Sequence, residues 1–370
     1  MAPQPYPYGD ITVVELVPLN LRFVWLGFLL IYKVLAFPFS HQYTFKRTLW
    51  RTFVRTVAPN STLRQMQWVS PRVAVMYERF INSSSGKNLE IIHEDVGEGA
   101  SLHWIGPKKN EHTILYLHGG GYVLPALDGH FLMVDYWRTE AKRKYGVNLS
   151  VAFLEYSLIN HAPWPAQLHQ GILAVNHILT SGIPPSALVI AGDSAGGHLI
   201  AALFAHMLHP HPSGLPSVTP LAFPLAGAAL ISPWMSFSEA APSFARNAHR
   251  ELLPLKTLRR WADLIKASRP VGLEDGPWFE PATAEPDWWA GLAGIVEHIL
   301  YAAGDGEVMV DDAVVAAERM REGAGKKLQL DVFIQPGGGH NEPLAEMASG
   351  EVPGVMSQRV VDWLGELWGQ

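Results

Sequence analysis

ALVIAGDSAGG, residues 187–197, is the stretch that decides the fold. A β-branched apolar run enters Gly192-Asp193-Ser194-Ala195-Gly196, and an alanine-rich helical pattern follows. That order is the strand–turn–helix context in which a G-x-S-x-G elbow can form. The turn forces its central serine into a strained conformation, so the flanking positions must be nearly free of side chain. Gly192 and Gly196 meet that need, and Ser194 would stand at the carboxyl end of a central strand, where open α/β sheets bind ligands.

Outward from the elbow, short apolar runs alternate with helical stretches from about residue 86 onward. This argues for βαβ units and a mainly parallel sheet. The patterns predict strands over 89–93, 100–105, 113–117, 148–154, 187–191, 226–231, 295–302 and 328–334. They predict helices over 130–145, 165–180, 195–208, 312–322 and 355–368. Residues 237–290 break the rhythm with several prolines and Trp261, Trp278, Trp288 and Trp289, and read as a cap inserted before the seventh strand. Residues 1–85 read as an aromatic N-terminal extension, and 86–370 as the α/β body.

A second glycine-rich turn follows another predicted strand. In TILYLHGGGY, residues 113–122, three glycines let backbone N–H groups approach a developing oxyanion without Cβ obstruction. Gly120 and Gly121, with the N–H of Ala195, are the expected oxyanion donors. His118 and Gly119 are expected to orient that loop. A serine hydroxyl needs a base, and on such elbows the acid and then the histidine follow the serine in the chain. His340, in the turn GGGHNEP after an apolar strand, satisfies that order. His209 and His211 fall in a proline loop, and His41, His169 and His177 read as surface or satisfied residues. The acid comes from LYAAGDGEVMVDD, residues 300–312, where Asp305 and Glu307 both follow a strand end. Either carboxylate could hold the imidazole.

Taken together, HGGGY, GDSAGG, the acidic loop and the late histidine resemble the hormone-sensitive-lipase-like branch of the α/β-hydrolase fold. EYSLINHAPWPAQLHQ, residues 155–170, is similar to that branch's Y-R-L-A-P-E stretch through Tyr156, Ala162, Pro163, Pro165 and Ala166. The aromatic N-terminus looks most like the fungal steryl-acetyl-hydrolase-like members, some in secondary metabolism. The resemblance implies an eight-stranded, mainly parallel sheet with helices on both faces and a helical cap. It also implies a serine carboxylester hydrolase for short acyl esters of apolar alcohols, with no metal or organic cofactor. The family's loop often reads G-x-x-D-P-L-x-D-D. On that pattern Gly304 takes the glycine, Glu307 the acid, and Asp311 and Asp312 the trailing pair, with Asp305 as the alternate acid.

Composition narrows the classes. The chain of 370 residues is 48% hydrophobic and 17% charged, enough to bury a large core. A net charge of -6 gives no reason to expect nucleic acid. The absence of cysteine excludes disulfides, thiolate catalysis and Cys-based zinc sites. Thirteen tryptophans suggest a large apolar alcohol in the substrate, or simply core packing.

The N-terminus lacks the positive n-region of a secretory signal. LRFVWLGFLLIYKVLAFPF, residues 21–39, is close to spanning length. FKRTLWRTFVRTV, residues 45–57, has helical spacing, with Lys46, Arg47, Arg51 and Arg55 set apart from the apolar residues. It reads as a basic amphipathic helix, either lying on an anionic membrane surface or capping the enzyme with its basic face in water. The expected partners are therefore an apolar small-molecule ester and a membrane surface. The expected place is membrane-associated, at the endoplasmic reticulum, or cytoplasmic; nothing signals an oligomeric state.

The same three groups would serve an arylformamidase or other amidase, or a biosynthetic cyclase or acyltransferase. A small-molecule receptor on this scaffold would instead predict a broken triad.

Overall fold

The computed structural model describes residues 8–36, 43–108, 111–273 and 276–369. His41 and the last three residues of the 21–39 run lie outside them. Eight strands form one sheet: β1 (His93–Gly97), β2 (Ala100–Ile105), β3 (His112–Leu117), β4 (Leu149–Glu155), β5 (Leu188–Asp193), β6 (Leu225–Ile231), β7 (Val296–Gly304) and β8 (Gln329–Gln335). Their order is β1-β2-β4-β3-β5-β6-β7-β8. The β1–β2 and β2–β4 pairs are antiparallel, and every later pair is parallel.

Seven strands fall within two residues of their expected bounds. The first does not: 89–93 was expected, and β1 is His93–Gly97. The apolar residues of LEII drew the expectation, but Leu89 and Ile92 pack against the core from the approach to the strand. The strand itself reads HEDVG because it is an edge with alternate residues exposed.

Among the described residues four helices precede the sheet: α1 (Val13–Ala36), α2 (Phe45–Val57), α3 (Leu63–Val69) and α4 (Val73–Ile81). Thr62 and Gln65 close a capping box on α3, satisfying two otherwise orphaned donors. The sheet is flanked by α5 (Asp128–Tyr145), α6 (Ala166–Thr180) and α7 (Ala195–Leu208). Between β6 and β7 lie α8 (Pro242–Asn247), α9 (Leu255–Ser268) and α10 (Gly276–Phe279). The chain ends with α11 (Val310–Ala324), α12 (Glu342–Ser349) and α13 (Val355–Trp368).

Successive side chains on a strand point to opposite faces, and the core divides accordingly. Leu115 and Leu117 of β3 join one cluster with Leu199 and Leu203 of α7. Ile114 and Tyr116 join the other with Phe131 of α5 and Trp363 of α13. Because β3, β5, β7 and β8 run parallel, the turns after them all emerge at one edge of the sheet.

The four tryptophans of residues 237–290 do different things. Trp261 of α9 reaches a cavity at that edge. Trp278 and Trp288 pack edge to face at 4.8 Å, against His211 and His209 respectively, and Trp289 is fully buried. Of these four, only Trp261 lines that cavity; Trp289 is core, and Trp278 and Trp288 pack half-buried against it.

The basic face of α2 is not left in water as a whole: Lys46 is exposed, but Arg47, Arg51 and Arg55 are not. Arg47 is buried against Glu342 and Glu351. Arg51 donates to the carbonyl of Arg250, Arg55 to that of Glu251, and Lys46 to that of Gly350. Periodicity located the face; carboxylates and carbonyls of this chain partner it.

Candidate active site

Ser194 occupies the elbow between β5 and α7 at φ 50° and ψ −114°. Tyr122, Ser232 and Asn341 also hold positive φ, and all four lie around the same edge. Each such residue costs roughly 1–3 kcal/mol and persists only where its surroundings fix it. The elbow is fixed by contact: a Cβ on Gly196 would lie 1.8 Å from the Leu117 carbonyl oxygen. Only glycine lets α7 start that close to β3. The Ser194 N–H donates to the Ile231 carbonyl, and its own carbonyl accepts from Trp234.

The turn after β8 brings His340 to the serine, with Nε2 3.1 Å from Ser194 Oγ. His340 Nδ1 lies 2.9 Å from Glu307 Oε2. A carboxylate only accepts, so Nδ1 carries a proton, and in the neutral ring Nε2 is left to accept from the serine hydroxyl. Glu307 is wholly buried. Its Oε1 accepts from Ser232 Oγ at 2.6 Å and from the Gly304 N–H at 2.5 Å. Leaving a buried carboxylate unpaired would cost several kcal/mol; three donors offset that cost.

Asp305 goes elsewhere. Its carboxylate takes the Gly337 N–H at 2.9 Å and faces Arg250 at 3.2 Å, nearly half exposed. It shapes a turn and does not meet the imidazole.

Electrostatics follow from this geometry. Burial opposes the His340 imidazolium, but the hydrogen bond to Glu307 and its charge, with Glu251 and Asp193 further off, override burial and push the pKa up to about 9. Burial raises Glu307, and its hydrogen bonds to His340, Ser232 and Gly304 pull back. Burial holds His118 down at about 4, aided by the nearby His130, so it stays neutral. Its ring stacks on Tyr156 at 4.3 Å, and its carbonyl accepts the Tyr156 hydroxyl at 2.6 Å.

Gly119, Gly120 and Gly121 form the turn after β3. The Gly119 N–H is held by Asp193 Oδ1 at 2.8 Å. Among the described residues, no protein acceptor meets the N–H groups of Gly120 and Gly121. A Cβ on Gly121 would strike the Trp261 ring at 2.5 Å, so glycine is needed for α9 to close over this turn. Ala195 opens α7, where the first N–H groups have no intrahelical partner. Asp193 also accepts from Tyr116, Asn341 and His130.

A cavity of about 400 Å³ opens above these groups. Ser194, His340, Gly120 and Gly121 lie at its base, and α2 and α3 supply apolar walls through Trp50, Phe53, Val57 and Met66.

Several residues here were not singled out from the sequence. Ser232 bridges Glu307 and the Asn341 N–H, and Glu251 takes the Val308 N–H at 3.0 Å beside Glu307. Ser232 carries a faint signal, as a hydroxyl just past the end of an apolar strand. Glu251 carries none.

A serine on a strand–helix elbow, a histidine and a buried acid from later strand ends, and a glycine turn beside them define the site of an α/β-hydrolase. The chain belongs to the alpha/beta hydrolase fold family, whose sequence model matches residues 114–341. It is 30% identical over 216 residues to an acetyl-hydrolase of Streptomyces hygroscopicus, covering 58% of this chain and 63% of that protein. It is 27% identical over 173 residues to neutral cholesterol ester hydrolase 1 of Rattus norvegicus, covering 44% and 40%. In both matches the chain spans less than two thirds of the relative's length. A crystal structure of an esterase from the bacterial hormone-sensitive lipase family, the branch that the motifs resemble, superposes with a TM-score of 0.66. It does so at 21% identity, over 88% of this chain and 99% of that one.

The His340–Glu307 contact makes a titration prediction. A raised pKa means that the imidazole keeps its charge as pH rises past the ordinary histidine value of about 6.5. Glu307→Gln removes the charge that raises it and leaves burial, so the midpoint should fall below that value. Imidazole ¹⁵N shifts across pH measure this, and an equal midpoint in both proteins would contradict it.

Proposed function

We propose that the protein is a carboxylester hydrolase that works through an acyl-enzyme. The observation that carries this reading is the unbroken Ser194–His340–Glu307 relay at the base of an apolar cavity. Ser194 Oγ attacks the ester carbonyl carbon while its proton passes to His340 Nε2. The N–H groups of Gly120, Gly121 and Ala195 receive the oxyanion. Glu307 supports the imidazolium, as the acid of such a triad does. The C–O bond breaks as His340 returns the proton to the departing alkoxide. Water then repeats the sequence on the acyl-enzyme and frees the carboxylic acid.

For the substrate we propose a short acyl group, acetyl first, on a bulky apolar alcohol such as a sterol or a secondary metabolite. The apolar cavity walls support a large apolar partner, and relatives named acetyl-hydrolase and neutral cholesterol ester hydrolase point the same way. We also propose that α1 attaches the protein to a membrane. Its 24 residues extend about 36 Å at 1.5 Å per residue, enough to cross a bilayer core of about 30 Å. Leu19 and Leu26 are buried, while Val24, Phe28 and Ile31 stand exposed.

Three outcomes are expected. Ser194→Ala should abolish hydrolysis of 4-nitrophenyl acetate and sterol acetates and escape labelling by a serine-directed phosphonate. Equal labelling of the variant, or better kcat/KM on long-chain triacylglycerols than on acetates, would count against the reading. Glu307→Gln should lower kcat by about 10⁴, the usual cost of the wrong tautomer, while Asp305→Asn should act mildly; the reverse order would exchange the two acids. Full-length protein should float with liposomes in a density gradient, and replacing Val24, Phe28 and Ile31 by Gln should release it. Wild-type protein that stays at the bottom would remove the anchor.

A further inference from the structure

Three arginines of α2, Arg47, Arg51 and Arg55, are spaced four residues apart and so share one helix face. Each is held by another part of the chain. Arg47 is 6% exposed. Its Nη1 donates to Glu342 Oε2 at 2.9 Å, and its Nε to Glu351 Oε2 at 2.8 Å. Arg51 Nη2 donates to the Arg250 carbonyl at 2.8 Å, and Arg55 Nη1 to the Glu251 carbonyl.

What these partners do matters more than the pairs themselves. Glu342 opens α12 two residues after His340, and its Oε1 takes the Gly339 N–H at 2.7 Å. One carboxylate therefore connects Arg47 to the residue just before the histidine. Arg250 and Glu251 belong to the segment that grips the Glu307 turn. Glu251 Oε2 takes the Val308 N–H, Arg250 faces Asp305, and Asn247 Nδ2 donates to the carbonyls of Asp305 and Glu307 at 2.8 and 2.7 Å. The 2.9 Å contact between His340 and Glu307 joins two separate loops, and α2 holds both.

We propose that α2 is a positioning element of the active site: its arginines set the His340 loop in register with the Glu307 turn, while a second face of the same helix walls the cavity. The consequence for rate rests on the hydrolase reading above; the positioning itself does not. Arg47 suits the task because its planar guanidinium presents fixed N–H donors to Glu342, which an ammonium cannot. Misplacing a reacting group by about 1 Å can cost roughly 100-fold in rate, so a residue that never touches substrate can govern kcat.

The test uses the full-length chain and two readouts, steady-state hydrolysis of 4-nitrophenyl acetate and the ¹⁵N titration of His340. Arg47→Met and Glu342→Gln should each lower kcat by roughly 10- to 100-fold, with KM changed by less than about threefold. Both should also lower the His340 midpoint, because a loosened Glu307 contact raises it less. Glu351→Gln takes the other ion pair from Arg47 without touching the histidine loop. It should lower the melting temperature and leave kcat and the midpoint as in wild type. Should Arg47→Met fail to fold, Glu342→Gln and Arg55→Met carry the same comparison. The proposal is overturned if the Arg47 and Glu342 variants behave like Glu351→Gln, or if KM alone moves, which would make α2 only a wall. A wild type that hydrolyses no ester rejects the hydrolase reading, and the imidazole titration still decides the positioning role.

Discussion

The carboxylate of Asp193 is the constraint on which the site's geometry depends. It is almost wholly buried, one residue before Ser194, and accepts from four parts of the chain. Tyr116 donates from β3, Gly119 from the glycine turn, His130 from α5, and Asn341 from the turn that carries His340. Burial would raise its pKa; the charge and hydrogen bond of His130, with those from Tyr116 and Gly119, hold it below the ordinary aspartate value. An ionised carboxylate is tolerated in the interior only when its lone pairs are filled. That requirement pulls the elbow, the glycine turn and the histidine turn onto one point. The elbow motif needs only a side chain that fits between its glycines. Aspartate there does more, because it converts a local turn into a three-way junction.

Local pattern and long-range contact were legible to different degrees. The elbow, the glycine turn and the late histidine are readable because each is a short motif whose physical need, little side chain or a loop after a strand, is written in consecutive residues. The parallel sheet is readable because strands buried on both faces appear as continuous apolar runs. The edge strand is not, since only alternate residues of HEDVG are shielded and its neighbour LEII looks more strand-like. Glu251 and Asn247 carry no local signature, and Ser232 only a hydroxyl just past a strand end. Their partners lie 57 to 109 residues away in sequence, and only the fold brings them together. The face of α2 shows a related limit. Periodicity says that two faces differ, but a stripe of arginines looks the same whether it meets lipid phosphate, water or buried glutamates of its own chain.

That stripe changes what the N-terminal extension is. A segment that only covered the body would contact it through apolar packing and could be exchanged freely. Here a buried arginine fork and two carbonyl contacts tie α2 to the segments behind His340 and Glu307, while its aromatic face walls the cavity. Removing one partner of a buried ion pair typically costs about 3–5 kcal/mol, because the other is left uncompensated. The extension is therefore part of the body's interior chemistry, and α1 is joined to it through the packing of Leu19 and Leu26 and the hydrogen bond from Arg22 to Gln65.

The choice between two carboxylates only two positions apart shows how reach decides a role. Both follow β7 in the turn into α11, which lies against the turn after β8 through hydrogen bonds to Gln335 and Gly338. Asp305 lies at the outside of the bend, where its short side chain meets the Gly337 N–H and Arg250 near solvent. Glu307 has passed the bend and points inward. Its Oε1 returns to the N–H of Gly304, three residues back, closing the turn on itself, while Oε2 extends to His340. One carboxylate thus spans the start of its own turn and the imidazole of the neighbouring one. The additional methylene of glutamate supplies that reach, so the longer acid fits a turn in which the strand end and the histidine must be held together.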